Sequence, residues 1–261
     1  MAPTLPTVLA LDFDGVICDG LQEYFQTAWR AYCALWEPAE ATPPEGLAAS
    51  FYLLRPVVET GWEMPLLLRA LVLGISEVEI LHNWGTIAPE LAQKEGMEAA
   101  RLGATVDGIR DQWIASDLES WLAEHRFYPG VIDRLQSILN SSTRPVIIST
   151  KEGRFIRQLL QQQGIAVDAM QIIGKETRRP KYEVLRQLLG EYGGTFWFVE
   201  DRLKTLDSVR QHADLAQVTL FLADWGYNTQ PERDQAAQAE DIYLLSLPQF
   251  AQEFAAWVEK A

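Results

Sequence analysis

The stretch "TVLALDFDGVICDG", Thr7 to Gly20, decides the fold. Four apolar residues, Val8 to Leu11, run straight into Asp12, Phe13, Asp14 and Gly15. An unbroken apolar run that stops at a turn residue reads as a strand buried on both faces. Residues two apart on a strand point to the same side, so Asp12 and Asp14 share a face as the strand ends. Neighbouring carboxylates repel unless a cation or a shared proton intervenes. A hard ion such as Mg²⁺, held by one or two carboxylates together with a substrate phosphate, meets that need. Open α/β sheets bind their ligands just beyond the carboxyl ends of the strands. Asp and Gly are also ordinary turn residues, so the weight of this motif depends on how the other strands end.

They end in complementary chemistry. "RPVIISTKEG" is an apolar run closing on Ser149, Thr150 and Lys151. A hydroxyl and free backbone amides at a helix start suit a phosphate oxygen. "TFWFVEDRLKTL" is another apolar run, closing on Glu200 and Asp201, which adds acid where a metal would need it. Between them "KETRRPKYEVLRQLL" opens a helix with Lys175, Arg178, Arg179 and Lys181, cations able to offset phosphate and carboxylate. Taken singly, Ser149 is a plain turn residue, Asp201 a helix cap and the basic cluster a solvated face. What sets them apart is their occurrence in order at successive strand ends.

The chain has two textures. From Tyr128 onward, strand-like runs are expected at 145–149, 171–173, 195–199, 217–222 and 242–245. Helix-like segments at 155–163, 182–189 and 204–212 lie between most of them, a pattern that predicts a parallel sheet. Residues 20 to 127 carry helical spacing instead, as in Tyr24, Phe25, Ala28, Trp29, Tyr32 and Leu35. Segments 66–73 and 109–125 continue it, and no strand is evident there. The opening strand belongs to the second texture. The expected architecture is therefore a discontinuous α/β core, residues 1–19 and 128–261, with a helical insertion at 20–127.

Bulk properties narrow the partners. The 261 residues carry 36 acidic against 22 basic side chains, a net charge of −14, so no basic face for nucleic acid or anionic membrane is expected. The longest apolar stretch, Met64 to Ile75, is interrupted by Arg69 and is too short to span a bilayer. The N-terminus lacks a basic start followed by an apolar core, and two cysteines make no disulfide framework. A soluble, cytoplasmic protein is expected. No G-x-G-x-x-G follows a strand and no P-loop is present, which disfavours a dinucleotide enzyme. The three histidines show no zinc spacing.

These residues resemble the haloacid dehalogenase superfamily of phosphohydrolases. The four motifs would be "DFDGV", the hydroxyl in "IIST", a lysine in "RRPKYEVL" and the acidic "VED"; "YPGV" and "ADWGYN" also look like that family. The resemblance covers residues 7–19 and about 128–246. It implies a Rossmann-like three-layer α/β/α core with a mainly helical cap inserted after the first strand. Asp12 would be the nucleophile that forms an aspartyl-phosphate, and Asp14 the general acid and then base. Mg²⁺ would be held by Asp12, the Asp14 carbonyl and Asp201, with Glu200 as a further acid. Ser149, with Thr150 beside it, would bind the phosphoryl group, and Lys181 would stabilise it and orient the nucleophile. Where a lysine–proline pair often marks the third motif, this chain has Arg179-Pro180, which leaves Lys175 as an alternative to Lys181. Where the fourth motif often has a second aspartate, this chain has Thr205. Dehalogenases of the family need only the first aspartate and no metal, so Asp14 favours phosphoryl chemistry. The implied activity is a Mg²⁺-dependent phosphatase acting on a small phosphorylated metabolite. A phosphotransferase or sugar-phosphate mutase, and a non-catalytic interaction protein on the same scaffold, are the alternatives. The insertion would close over the site and select substrate. Six of the nine tryptophans lie in it, where filling a helical core is their ordinary use.

Overall fold

Strand β1 (Val8–Leu11) lies at the middle of the sheet in the computed structural model, which describes residues 5–258. The other strands are β2 (Cys18–Asp19), β3 (Arg126–Phe127), β4 (Arg144–Ile148), β5 (Gln171–Ile173), β6 (Phe196–Glu200), β7 (Val218–Ala223) and β8 (Ile242–Leu245). Six of them form one sheet in the order β5-β4-β1-β6-β7-β8, and every pairing in it is parallel. All four residues of β1 are fully buried, as a central parallel strand covered on both faces requires. The chain passes from β1 to β4 and β5 on one side and then to β6, β7 and β8 on the other. The order therefore reverses around β1, which makes its carboxyl end the topological switch point of the sheet.

Alternation along the strands divides the core. Val8, Ala10, Phe196, Phe198, Leu220 and Leu222 pack on one face with Val184, Leu188, Leu206 and Ala236 from the helices covering it. Trp197 and Phe221 point the other way and meet Phe254 and Trp257. Burying each such ring contributes about 1.5–3 kcal/mol. The short helices Leu247–Phe250 and Phe254–Trp257 thus close the second face. The result is the expected three-layer α/β arrangement, with helices on both sides of a parallel sheet.

The chain divides into two compact units, Met1–Asp19 with Arg126–Ala261, and Gly20–His125. The sequence reading ends the insertion at residue 127. In the structure Arg126 and Phe127 instead pair antiparallel with Asp19 and Cys18, so they fall with the sheet-bearing unit. Within Gly20–His125, helices run over Leu21–Trp36, Leu47–Leu54, Glu63–Val72, Glu77–Lys94, Ala99–Ser116 and Leu118–Ala123. The helically spaced segment 109–125 divides into two helices at Asp117, whose carboxylate caps the second by accepting from Ser120 N at 3.0 Å. Trp29, Trp84, Trp113 and Trp121 are buried in this unit, in keeping with a core-filling use. At its centre the fully buried Glu23 carboxylate accepts from Thr27 Oγ1, Arg110 Nε and Trp121 Nε1 at 2.8, 2.7 and 3.1 Å. A buried charge held this way is satisfied rather than orphaned. Among the described residues no helix is long and apolar enough to cross a membrane.

Candidate active site

Register places the motif residues. Leu11 pairs with Ile147 on one side and Val199 on the other. Asp12 is thus level with Ile148 and Glu200, while Ser149 and Asp201 lie one residue further along the flanking strands' directions. Strands sit about 4.8 Å apart, so the four ends meet at one edge of the sheet.

The side chains converge there. Asp12, Glu200 and Asp201 are all buried and offer carboxylate oxygens within 4.8 Å of one another. Lys181, the first residue of helix Lys181–Tyr192, reaches the same point: its Nζ lies 2.8 Å from Asp12 Oδ1 and 2.6 Å from Glu200 Oε2. Lys175 is exposed, and Arg179 is also exposed and donates to Gln187 Oε1. Of the sequence candidates for a third-motif cation, the geometry brings Lys181 into the carboxylate cluster.

The bonds distinguish the oxygens. Asp12 Oδ1 takes both Lys181 Nζ and the Phe13 amide, the latter at 2.7 Å, and no described residue engages Oδ2. Glu200 has both oxygens engaged, Oε2 by Lys181 and Oε1 by Arg202 N at 3.1 Å. Asp201 Oδ2 accepts from Tyr227 N at 2.7 Å. Asn228 Nδ2 fixes the backbone on either side, donating to Asp201 O and Ala223 O at 2.9 and 2.7 Å. Two glycines permit this approach. A Cβ on Gly15, whose φ is +87°, would lie 2.1 Å from Asp201 Oδ2, and one on Gly226 would lie 2.2 Å from Asp201 Cβ.

Asp14 stands apart from the three-acid cluster. Its Oδ1 is buried, makes no well-formed hydrogen bond, and faces Lys151 Nζ at 3.3 Å. Ser149 is buried, and its Oγ accepts from Lys151 N at 3.1 Å, a tight turn that sets the lysine's direction. Thr150 is exposed. Asp207, four residues beyond Leu203, is ion-paired to Arg210 at 2.9 Å, and Thr205 is half-buried. In the helical unit, the arginines at 30, 55 and 69 are engaged locally: Arg30 stacks on Trp113, Arg55 donates to Val58 O and Arg69 pairs with Glu95.

Sequence reasoning gave no role to Lys151, Tyr227 or Asn228. "ADWGYN" was the available signal for the last two, and Lys151 stands two residues after Ser149.

Electrostatics follow from crowding. Burial pushes the Asp12 carboxyl up to about 7, and the neighbouring Glu200 adds to it. Burial likewise pushes Glu200 and Asp201 up to about 6, helped by Asp201 and Asp12 respectively. Burial alone would depress the Lys181 ammonium, but Asp12 and Glu200 more than offset that and move it upward. Three buried acids against one lysine leave an uncompensated negative charge that a divalent cation fits. Among the described residues this is the one carboxylate, histidine or cysteine group with metal-holding geometry.

No protein-family model matches the sequence, and no curated protein matches it. Solved structures do. The chain is similar to a haloacid dehalogenase-like family hydrolase from Streptococcus pneumoniae, at 15% identity over 93% of this chain and 94% of that one, TM-score 0.54. A predicted phosphatase from Clostridium acetobutylicum matches at 14% identity, 92% and 94% coverage, TM-score 0.57. A predicted phosphoglycolate phosphatase from Haemophilus somnus matches at 11% identity, 86% and 88% coverage, TM-score 0.54. At such identities the likeness establishes the fold.

Proposed function

We propose that this chain, which has the fold of the haloacid dehalogenase-like hydrolases, is a Mg²⁺-dependent phosphatase of a small phosphorylated metabolite. The carrying observation is Lys181 Nζ bridging Asp12 and Glu200 beside Asp201, at the switch point of the sheet. A purely structural network of buried charges would be neutralised by its own partners. This one keeps an excess of acid and leaves Asp12 Oδ2 without a partner. Asp12, Asp201 and the Asp14 main-chain carbonyl would hold the metal, with Glu200 positioning Lys181, since both its oxygens are already engaged. A bound Mg²⁺ would supply Lewis-acid stabilisation of charge on the phosphoryl oxygens.

In the proposed reaction Asp12 Oδ2 attacks phosphorus in line. The bond to the leaving oxygen breaks as Asp14 gives it a proton, and an aspartyl-phosphate remains. Asp14, now a carboxylate, takes a proton from water. The resulting hydroxide attacks phosphorus, and the Asp12 carboxylate departs. Ser149 Oγ hydrogen-bonds a phosphoryl oxygen, and the Lys181 ammonium holds Asp12 and offsets the incoming charge. The names of the matching structures favour phosphate esters over halides as substrates. The test is release of inorganic phosphate from an aryl phosphate and a panel of phosphorylated metabolites. Wild type should release it and Asp12→Asn should not; equal turnover by both would end this reading.

A further inference from the structure

The basic run "KETRRPK" supplies one lysine to the carboxylate cluster and leaves its arginines unaccounted for. One of them, Arg179, lines an open cavity of about 490 Å³ on the far side of the sheet's edge strand β5 from the cluster's strands. Arg154 and Arg157, from helix Gly153–Gln162, line it too. No lining residue belongs to the carboxylate cluster.

The charges there are poorly neutralised. Glu176 is the one acid in the lining, and its Oε1 is engaged by Gly153 N at 2.7 Å. That bond also caps the helix, so the helix start is not itself vacant for a ligand. Arg157 makes no hydrogen bond or ion pair with any described residue. Among the described residues Arg179 hydrogen-bonds only the neutral amide of Gln187. Arg154 pairs with Glu152 at 2.8 Å while remaining 65% exposed, an ion pair worth little in water. Three guanidiniums facing one acid give the cavity a net positive lining on a chain of net charge −14. Gln171, Thr177 and Gln187 add neutral hydrogen-bonding groups, and Ile172 an apolar floor.

We propose that this cavity is a binding site for a small polyphosphate, inorganic or borne on a nucleoside. Guanidinium forks match phosphate oxygens two at a time, and arginine is the side chain suited to that geometry. The volume lies in the range of small-molecule sites and exceeds what one phosphate group fills. Three separated arginines likewise call for more than one phosphate. The site stands apart from the phosphatase reading and does not depend on it.

The experiment is isothermal titration of the metal-free full chain with inorganic triphosphate, ATP and orthophosphate. Triphosphate should bind wild type at one site, with orthophosphate at least about tenfold weaker. Arg157→Gln/Arg179→Gln should weaken triphosphate by about tenfold or more. Arg154→Gln, at an exposed position, should weaken it by a few-fold. Lys181→Met should leave it unchanged. Failure of triphosphate and ATP to bind wild type at millimolar concentration would overturn the proposal. So would affinity that falls with Lys181→Met but survives the arginine substitutions, because the anion would then sit among the carboxylates.

Discussion

Replacing Lys181 with methionine isolates its charge. Methionine keeps most of the stem's volume, so packing should change by less than about 1.5 kcal/mol. The ammonium that holds Asp12 at 2.8 Å and Glu200 at 2.6 Å is gone, with the lysine side chain only 13% exposed. Removing one partner of a buried ion pair costs about 3–5 kcal/mol because the other charge stays behind. Here two carboxylates stay behind, and both can escape by taking up protons. Their folded values, about 7 for Asp12 and about 6 for Glu200, already lie above those of the unfolded chain, and loss of Lys181 raises them further. At pH 8 both are ionised in the wild type, so the variant should show the full loss of about 3–5 kcal/mol. At pH 5 both are largely protonated in the variant, and the loss should shrink to about 1 kcal/mol. For a domain of this size that is a melting shift of about 6–20 °C at pH 8 and a few degrees at pH 5. Calorimetric melts of metal-free protein at the two pH values read it directly, with Lys175→Ala, an exposed site, as a control expected within about 0.5 kcal/mol. An equal loss at both pH values, or a loss below about 1 kcal/mol at pH 8, would refute the assignment of Lys181 as the charge that holds these acids.

Three further outcomes follow from the same geometry. Gly15→Ala should abolish phosphate release and destabilise by more than the roughly 1 kcal/mol expected of Gly164→Ala, which also has positive φ but open space around it; comparable melting losses would show that the contact with Asp201 is not limiting. Metal-free protein should lose stability as pH rises from about 4 to 7, because Asp12, Glu200 and Asp201 hold more protons folded than unfolded there, and Mg²⁺ at a hundredfold over its Kd should restore about 2.7 kcal/mol at pH 7.5 and less at pH 5; melting that ignores Mg²⁺ would remove the metal from the site. Asp201→Asn should weaken Mg²⁺ binding at least about tenfold while Glu200→Gln changes it by less than about threefold and instead lowers kcat; the opposite ranking in a Mg²⁺ titration would make Glu200 the metal ligand.

Much of this architecture was legible because parallel strands are buried on both faces and so write themselves as apolar runs. β5 and β8 fall where the runs predict, and β4, β6 and β7 are displaced by one residue. The displacement matters locally: Glu200 closes its strand, while Ser149 stands just past the end of its own. The short helices Gln230–Gln238 and Leu247–Phe250 went unread although each carries a capping box, Thr229 with Glu232 and Ser246 with Gln249. The signals there lie in the caps, and apolar spacing over so few residues is too sparse to register. Spacing to Leu185 favours Lys181 over Lys175, but which lysine reaches the carboxylates depends on how the chain turns through Arg178, whose φ is +51°, before Pro180 caps the helix. Lys151 was invisible as a partner of Asp14 for a different reason. Their contact exists only because β1 and β4 are neighbours, and adjacency of strands is not a property of either stretch of sequence.

The question raised by Asp12 and Asp14 is answered by division of labour rather than by a shared ion alone. Asp12 turns toward β6, where Lys181, Glu200 and Asp201 surround it, and Asp14 turns toward the loop after β4, where Lys151 faces it. Each acid thus has its own lysine, one at the start of helix Lys181–Tyr192 and the other in the loop after β4. In the proposed reaction that separation suits the two roles, since the nucleophile would remain ionised beside phosphorus while the proton carrier gains and loses a proton. Two acids sharing one environment would titrate as a coupled pair. The cluster left around Asp12 still carries three acids against one base, and Gly15 and Gly226 leave room for Asp201 Oδ2 to accept from Tyr227 N. On the proposed function, the crowded acids at the end of β1 trade stability for an acidic site assembled before any ligand arrives, as a preorganised active centre would.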